Sequence, residues 1–234
     1  MPNSTFNEDL SQEQIMSLYL DNHLYNSGIF ERAERTPNKP EQKKGCDIIL
    51  TSKFWGIEDC LVDEKAQMTY FNKDQATFAF ELLYRKKEDN GTYSSRVGWF
   101  IDSGRATEAY LLVWPFSDSK FKTGKISNLV YDDIAGIRYL IVRKEKIKKY
   151  LANKFLTDKK LLYTAKDIYY KRTQLTNGRF LPVNWDSDVY FTQSTDLDER
   201  PVNLVIKRDI LWLLADMRGN VLGNTSAGGI KQYW

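Results

Sequence analysis

Two short apolar runs that each admit charge constrain this chain most: Gly45-Cys46-Asp47-Ile48-Ile49-Leu50 and Leu61-Val62-Asp63-Glu64-Lys65-Ala66-Gln67. Side chains of a β-strand alternate between faces. The second run therefore puts Asp63, Lys65 and Gln67 on one face, and Val62, Glu64 and Ala66 on the other. An isolated charge is costly to take out of water, so an acid and a lysine on a largely apolar strand need a reason. Two reasons are open. Asp63 and Lys65 form an ordinary same-face ion pair on an exposed strand, with Asp47 capping a turn or pairing with Lys43 or Lys44. Alternatively, the carboxylates bind a divalent cation and the ammonium faces an anionic substrate, as metal-assisted phosphodiester cleavage requires.

An acid on one strand, a hairpin turn and acid-x-Lys on the next strand resemble the PD-(D/E)XK, or restriction endonuclease-like, nuclease superfamily. Asp47 matches the first acid, and Asp63 and Lys65 match the second acid and the lysine. The proline of the motif is absent, since Cys46 precedes Asp47, and Gln67 extends the strand to acid-x-Lys-x-Gln. The resemblance covers residues 8–116 and rests on these short matches. It implies an α/β (α+β) restriction endonuclease-like core, a central mixed sheet flanked by helices. It further implies that Asp47 and Asp63 hold Mg²⁺ or Mn²⁺, with the main-chain carbonyl of Glu64 as a further ligand. Lys65 would stabilise charge building in the transition state, and Gln67 would orient a water or a ligand. Glu13, on the first helix, stands where some members supply an extra carboxylate. Glu81 lies on the strand face away from Phe78 and Phe80, which leaves it either an additional acid or a solvent-facing glutamate. A bulge would exchange the roles of Asp63 and Glu64.

Periodicity organises the rest. Residues 8–26 predict an amphipathic helix with Leu10, Ile15, Leu18, Tyr19 and Tyr25 as its stripe, and Ser11 with Gln14 as a capping box. After a proline-bearing loop (35–44), strands are expected at 45–50 and 60–67, joined by a turn at 55–59. Residues 76–87 alternate, with Phe78, Phe80, Leu82 and Tyr84 on one face. Glu88-Asp89-Asn90-Gly91 is a hairpin signal, returning as strand 93–101, then a turn at 102–104 and strand 106–116. These read as a largely antiparallel meander. A Ser/Lys/Gly-rich loop (117–128) precedes strand 137–142, a basic helix 143–153 and a helix 157–171. A turn at Asn177-Gly178, a polar loop 186–200, a strand 202–206 and a helix 209–217 follow. Gly219 and the glycines of 223–229 are expected to end regular structure, leaving a loose tail or a short edge strand. The seam falls near 117–130, between a nuclease-like core (1–120) and a C-terminal α/β elaboration (121–234) that also fits as part of the same domain.

Composition excludes more than it assigns. Hydrophobic residues at 42% and charged residues at 28% describe a globular chain. The single histidine, His23, argues against His-rich zinc sites and a Ser-His-Asp triad. The two cysteines, Cys46 and Cys60, give no metal spacing and fit a reducing compartment. No basic-then-apolar leader opens the sequence and no apolar run approaches a membrane span, so the expectation is a soluble cytoplasmic protein. No phosphate-binding loop, dinucleotide fingerprint or nucleophile elbow occurs.

Net charge is only +3, but it is unevenly spread. Residues 1–42 carry seven acids against three bases, whereas residues 143–172 carry eleven bases against three acids. Candidate phosphate contacts are Lys43, Lys44, Arg96, Arg105, Lys144, Lys146, Lys148, Lys149, Lys171 and Arg172. Tyr169 and Tyr170 interleave with the last two as a base-stacking surface would, although a solvated helix face has the same composition. The expected activity is metal-dependent DNA endonuclease. A non-catalytic nucleic-acid-binding or assembly protein on the same scaffold is the alternative, and a homodimer fits double-strand cutting.

Overall fold

A computed structural model describes residues 6–36, 44–120, 122–124, 129–171, 179–180, 188–195, 197–223 and 230–232, with only the backbone of 6–11 and 230–232. Lys43, Arg172, the Asn177-Gly178 turn and the glycines of 224–229 lie outside the described residues. The chain divides into two compact units interleaved in sequence. One comprises residues 3–75, 106–145 and 212–234; the other comprises 1–2, 76–105 and 146–211.

The first unit is a seven-stranded mixed sheet in the order β1-β2-β3-β6-β7-β11-β12. Its strands are β1 (Arg32–Arg35), β2 (Ile48–Ser52), β3 (Ile57–Ala66), β6 (Ala109–Phe116), β7 (Gly136–Arg143), β11 (Met217–Leu222) and β12 (Ile230–Gln232). A cut at residue 120 would part β6 from β7, which pair antiparallel over eight positions. β6 occupies the centre because its run Ala-Tyr-Leu-Leu-Val-Trp is buried on both faces. Pro115 is tolerated there because β3 pairs with β6 only as far as Val113, so the missing N–H breaks no ladder bond on that side. Helix α1 (Phe6–His23) covers the sheet through Met16, Tyr19 and Leu20, with Leu24 just beyond its end, packed with Ile48, Leu50, Val62, Leu111 and Val113. The helix begins at Phe6, so Ser11 is internal and not a cap, and Leu18 is exposed rather than part of the apolar stripe. His23 packs at the end of α1, its Nε2 2.7 Å from the Tyr131 hydroxyl. Cys46 and Cys60 are both buried and form no disulfide.

The second unit holds a five-stranded antiparallel sheet, β5-β4-β10-β9-β8. Its strands are β4 (Thr77–Lys87), β5 (Tyr93–Val97), β8 (Arg179–Phe180), β9 (Val189–Gln193) and β10 (Val202–Lys207). The division between the units falls within the sequence of helix α2 (Lys144–Asn153), and α3 (Asp158–Tyr169) packs Leu161, Ala165 and Ile168 towards β4, β10 and β9. Helix α4 (Arg208–Leu214) follows β10.

Several expectations are corrected. The 76–101 hairpin does not continue a meander on β3: β4 pairs with β5 and β10, and β3 pairs parallel with β6. Parallel pairing needs a long crossover, which the excursion through the second unit supplies. Part of the expected polar loop 186–200 is strand β9, and its Val189, Tyr190 and Phe191 are buried. The helix expected to run to Met217 stops at Leu214, and residues 217–222 form β11, with Gly219 inside it. Strand β5 ends at Val97 because Gly98 crosses β4 closely. A Cβ at Gly98 would sit 2.4 Å from the Glu81 carbonyl oxygen and 2.7 Å from the Leu82 nitrogen, both main chain. Gly98→Ala should therefore cost about 2 kcal/mol, read from urea unfolding; an unchanged midpoint would refute that close approach. Among the described residues no helix is long and apolar enough to cross a membrane.

Candidate active site

Asp47 sits one residue before β2, and its main chain is tied on both sides. Its N–H donates to the Val62 carbonyl (2.9 Å), and its own carbonyl accepts from Thr36 N–H (3.0 Å). The preceding Gly45 takes a left-handed conformation and accepts from the Thr107 hydroxyl at 2.5 Å. The Asp47 side chain then turns onto β3, where Oδ2 accepts from the Glu64 N–H at 2.8 Å. That amide lies beyond the last β2–β3 register pair, Ile48 with Val62, so the carboxylate takes the place of a strand partner.

Asp63 is nearly fully buried. Its Oδ1 accepts from Lys65 Nζ at 2.5 Å, and its Oδ2 is buried without a hydrogen-bond partner. Burial pushes the Asp63 carboxyl up to about 6; the Lys65 ammonium opposes that shift and the Asp47 carboxyl adds to it. Two carboxyl groups that share a site resist ionising together. Asp47, Asp63 and Lys65 are thus brought together, on adjacent antiparallel strands and one face, as strand alternation requires.

Glu64 points the other way. Its Oε1 accepts from the Tyr25 hydroxyl at 2.5 Å and its Oε2 from Arg35 Nη1 at 3.0 Å. Arg35 in turn grips Asp21 through Nε (2.7 and 3.0 Å to the two oxygens) and donates from Nη2 to the Ser17 carbonyl. Burial raises the Glu64 carboxyl, with Arg35 the main opposing influence. The side chain is therefore committed away from Asp63, while its main-chain carbonyl accepts from Lys65 Nζ at 3.3 Å. Tyr25→Phe removes one of the bonds that hold this carboxylate, and is expected to cost about 1.5 kcal/mol in denaturant unfolding. Unchanged stability would mean that the hydroxyl does not serve Glu64. Periodicity marked Tyr25 only as part of an apolar helix stripe, and nothing marked Arg35 or Asp21: Arg32-Ala-Glu-Arg has no apolar alternation, and the contacts span 14 to 39 positions.

The other predicted residues scatter. Gln67 directly follows β3, which ends at Ala66; its N–H donates to the Val113 carbonyl at 2.9 Å before the chain enters a helical turn. Glu13 is exposed on α1. Glu81 lies on β4 of the five-stranded sheet, whose neighbours are β5 and β10, and not on a strand beside β3. Lys44 and Lys144 belong to the seven-stranded unit, and Arg96, Arg105, Lys146, Lys148, Lys149 and Lys171 to the other. Arg96 pairs with Glu88 at 2.7 Å, Lys148 with Asp158 at 2.6 Å, and Arg105 with Asp102 at 3.9 Å.

For a divalent cation the donor set here would be lean. Among the described residues no group of three or more His, Cys, Asp or Glu side chains could hold a metal. Asp47 and Asp63 nonetheless offer carboxylate oxygens, including the unpartnered buried Asp63 Oδ2, and hard cations such as Mg²⁺ prefer oxygen ligands and complete their shell with water. Compared with known proteins, the chain matches no family model, and no curated protein or solved structure is significantly similar to it.

Proposed function

We propose that this protein is a metal-dependent DNA endonuclease built on a restriction endonuclease-like core, with Asp47, Asp63 and Lys65 as its reactive group. The observation that carries the reading is the Asp63 carboxylate, buried between an ammonium on Oδ1 and an unpartnered Oδ2 beside Asp47. Asp47 and Asp63, with the Glu64 carbonyl, would hold Mg²⁺ or Mn²⁺. Such a cation supplies Lewis-acid polarisation of a phosphoryl oxygen and acidifies bound water.

The chain's own residues do the rest. Lys65, steadied by Asp63 and by the Glu64 carbonyl, presents a fixed positive charge where negative charge grows during in-line attack on phosphorus. Asp63 stays protonated in part below about pH 6 and becomes a full anion above it, so cation binding strengthens as pH rises. The Glu64 N–H holds Asp47 in place while Arg35 and Tyr25 anchor the same residue from behind.

One observation favours a catalytically silent nucleic-acid-binding scaffold: the Lys65 ammonium is engaged by Asp63 Oδ1 at 2.5 Å and by the Glu64 carbonyl at 3.3 Å. Incubation of plasmid, linear duplex and single-stranded DNA with Mg²⁺ or Mn²⁺ separates the two. Metal-dependent cutting that disappears in Asp47→Asn and Asp63→Asn supports the nuclease. No cutting, together with no thermal stabilisation by either cation, leaves the scaffold.

A further inference from the structure

The exposed side of α3 carries a pattern that the cleavage site does not use. Lys159, Tyr163, Lys166 and Tyr170 follow one another at i, i+4, i+7 and i+11, so they form a single stripe along the helix. All four are exposed, Tyr163 by 61% and Tyr170 by 53%. The stripe lies opposite Leu161, Thr164, Ala165 and Ile168, which are buried. Exposed tyrosines contribute nothing to the core here, and burying them elsewhere would recover apolar free energy.

Three further details fit a single occupant. Lys160 Nζ lies 5.6 Å from the Tyr163 ring centroid, and the Tyr169 ring meets that of Tyr170 edge-on at 5.0 Å, so each exposed ring has a neighbour that restricts it. The acid at the helix start, Asp158, is neutralised by Lys148. In the turn just before α3, Phe155 is 88% exposed and adopts a left-handed backbone that a glycine would take more readily. That backbone closes α2, with Phe155 N–H donating to the Ala152 carbonyl and Leu156 N–H to the Leu151 carbonyl, both at 2.9 Å, and it leaves the ring itself in water, where a ligand can meet it.

We infer that α3 binds single-stranded nucleic acid, with Tyr163 and Tyr170 stacking on unpaired bases and Lys159 and Lys166 meeting the phosphates between them. The two tyrosines rise about 10 Å apart along the axis, and the lysines fall between and before them. Rings that accept any base, alternating with cations that track the backbone, are the chemistry of sequence-tolerant single-strand binding. Residues 146–171, all in the unit that holds α3, carry eight bases against two acids and supply the electrostatic complement. This surface stands independently of the Asp47–Asp63 site.

The test is fluorescence anisotropy of the full chain with labelled oligo-dT and with a duplex of equal length, in chelator so that cleavage plays no part. Tyr163→Ala and Tyr170→Ala are each expected to weaken oligo-dT binding about tenfold while duplex binding changes little, and Tyr163→Phe to restore it. Lys159→Gln with Lys166→Gln should lower the salt slope on oligo-dT by about 1.4. Phe155→Gly should bind oligo-dT more weakly yet melt no lower than wild type. Absence of oligo-dT binding by wild type, equal losses on duplex, or a preference for phosphatidylserine vesicles over oligo-dT would each overturn the proposal. Loss of cleavage alone would leave it standing, because the assay contains no cation.

Discussion

Lys65→Met is expected to slow Mg²⁺- or Mn²⁺-dependent cleavage by about 10²–10³-fold, the usual loss when one preorganised charge-stabilising group is removed. The protein should remain folded, because the Lys65 side chain is 27% exposed and methionine keeps most of its apolar stem. A second consequence separates this role from a structural one. Lys65 is the chief group holding the Asp63 carboxyl down against burial and against Asp47. Without it the carboxyl protonates more readily, so residual activity should rise with pH over a more alkaline range than in wild type. Cleavage assayed across pH for both proteins, on supercoiled plasmid, reads both effects. Wild-type rates in Lys65→Met would remove the lysine from the chemistry, and an unshifted profile would separate it from Asp63.

The largest expected effect on stability also centres on Asp63. In the folded protein its carboxyl holds a proton up to about pH 6, whereas an unfolded aspartate releases it near pH 4. Between those values the folded state binds more protons, so this group's contribution to stability falls as pH rises through the window and stays low above it. The loss amounts to about 3 kcal/mol at 1.36 kcal/mol per pH unit. Asp63→Asn cannot ionise, so its stability should lack this fall and exceed wild type near pH 7. Denaturant unfolding from pH 4 to 7.5 measures the difference; parallel curves would refute the buried-carboxylate account. Added Mg²⁺ should recover part of the wild-type loss above pH 6 by mass action, about 2.7 kcal/mol at a hundredfold excess over Kd, and recover none in Asp63→Asn.

The local parts of this site were legible. The pattern acid-apolar-apolar on one run and acid-x-Lys on the next reports strand alternation, which depends only on backbone geometry, and Asp47, Asp63 and Lys65 do converge. The apolar run of β6 likewise reads as a strand, while its central place in the sheet is set by its pairing with β3 and β7. Alternation also predicts that Glu64 faces away, as it does. It does not say what waits there, because Tyr25 and Arg35 reach Glu64 from α1's end and from β1.

Partner choice marks the boundary between the two kinds of information. Periodicity identifies a strand but not its neighbour, so β4 and β5 looked like the continuation of β3 while Phe78, Phe80 and Leu82 bury instead in a second sheet with β10. Met217–Leu222 lacked a strong strand pattern and becomes β11 by pairing with β7 along its whole length. What the amino-acid order determined by itself was the set of charges placed on one face of one strand, since that follows from a two-residue repeat. Only the tertiary structure decided how deeply Asp63 is buried, which residues brace Glu64 and which sheet each strand joins, because those depend on contacts between segments far apart in the chain.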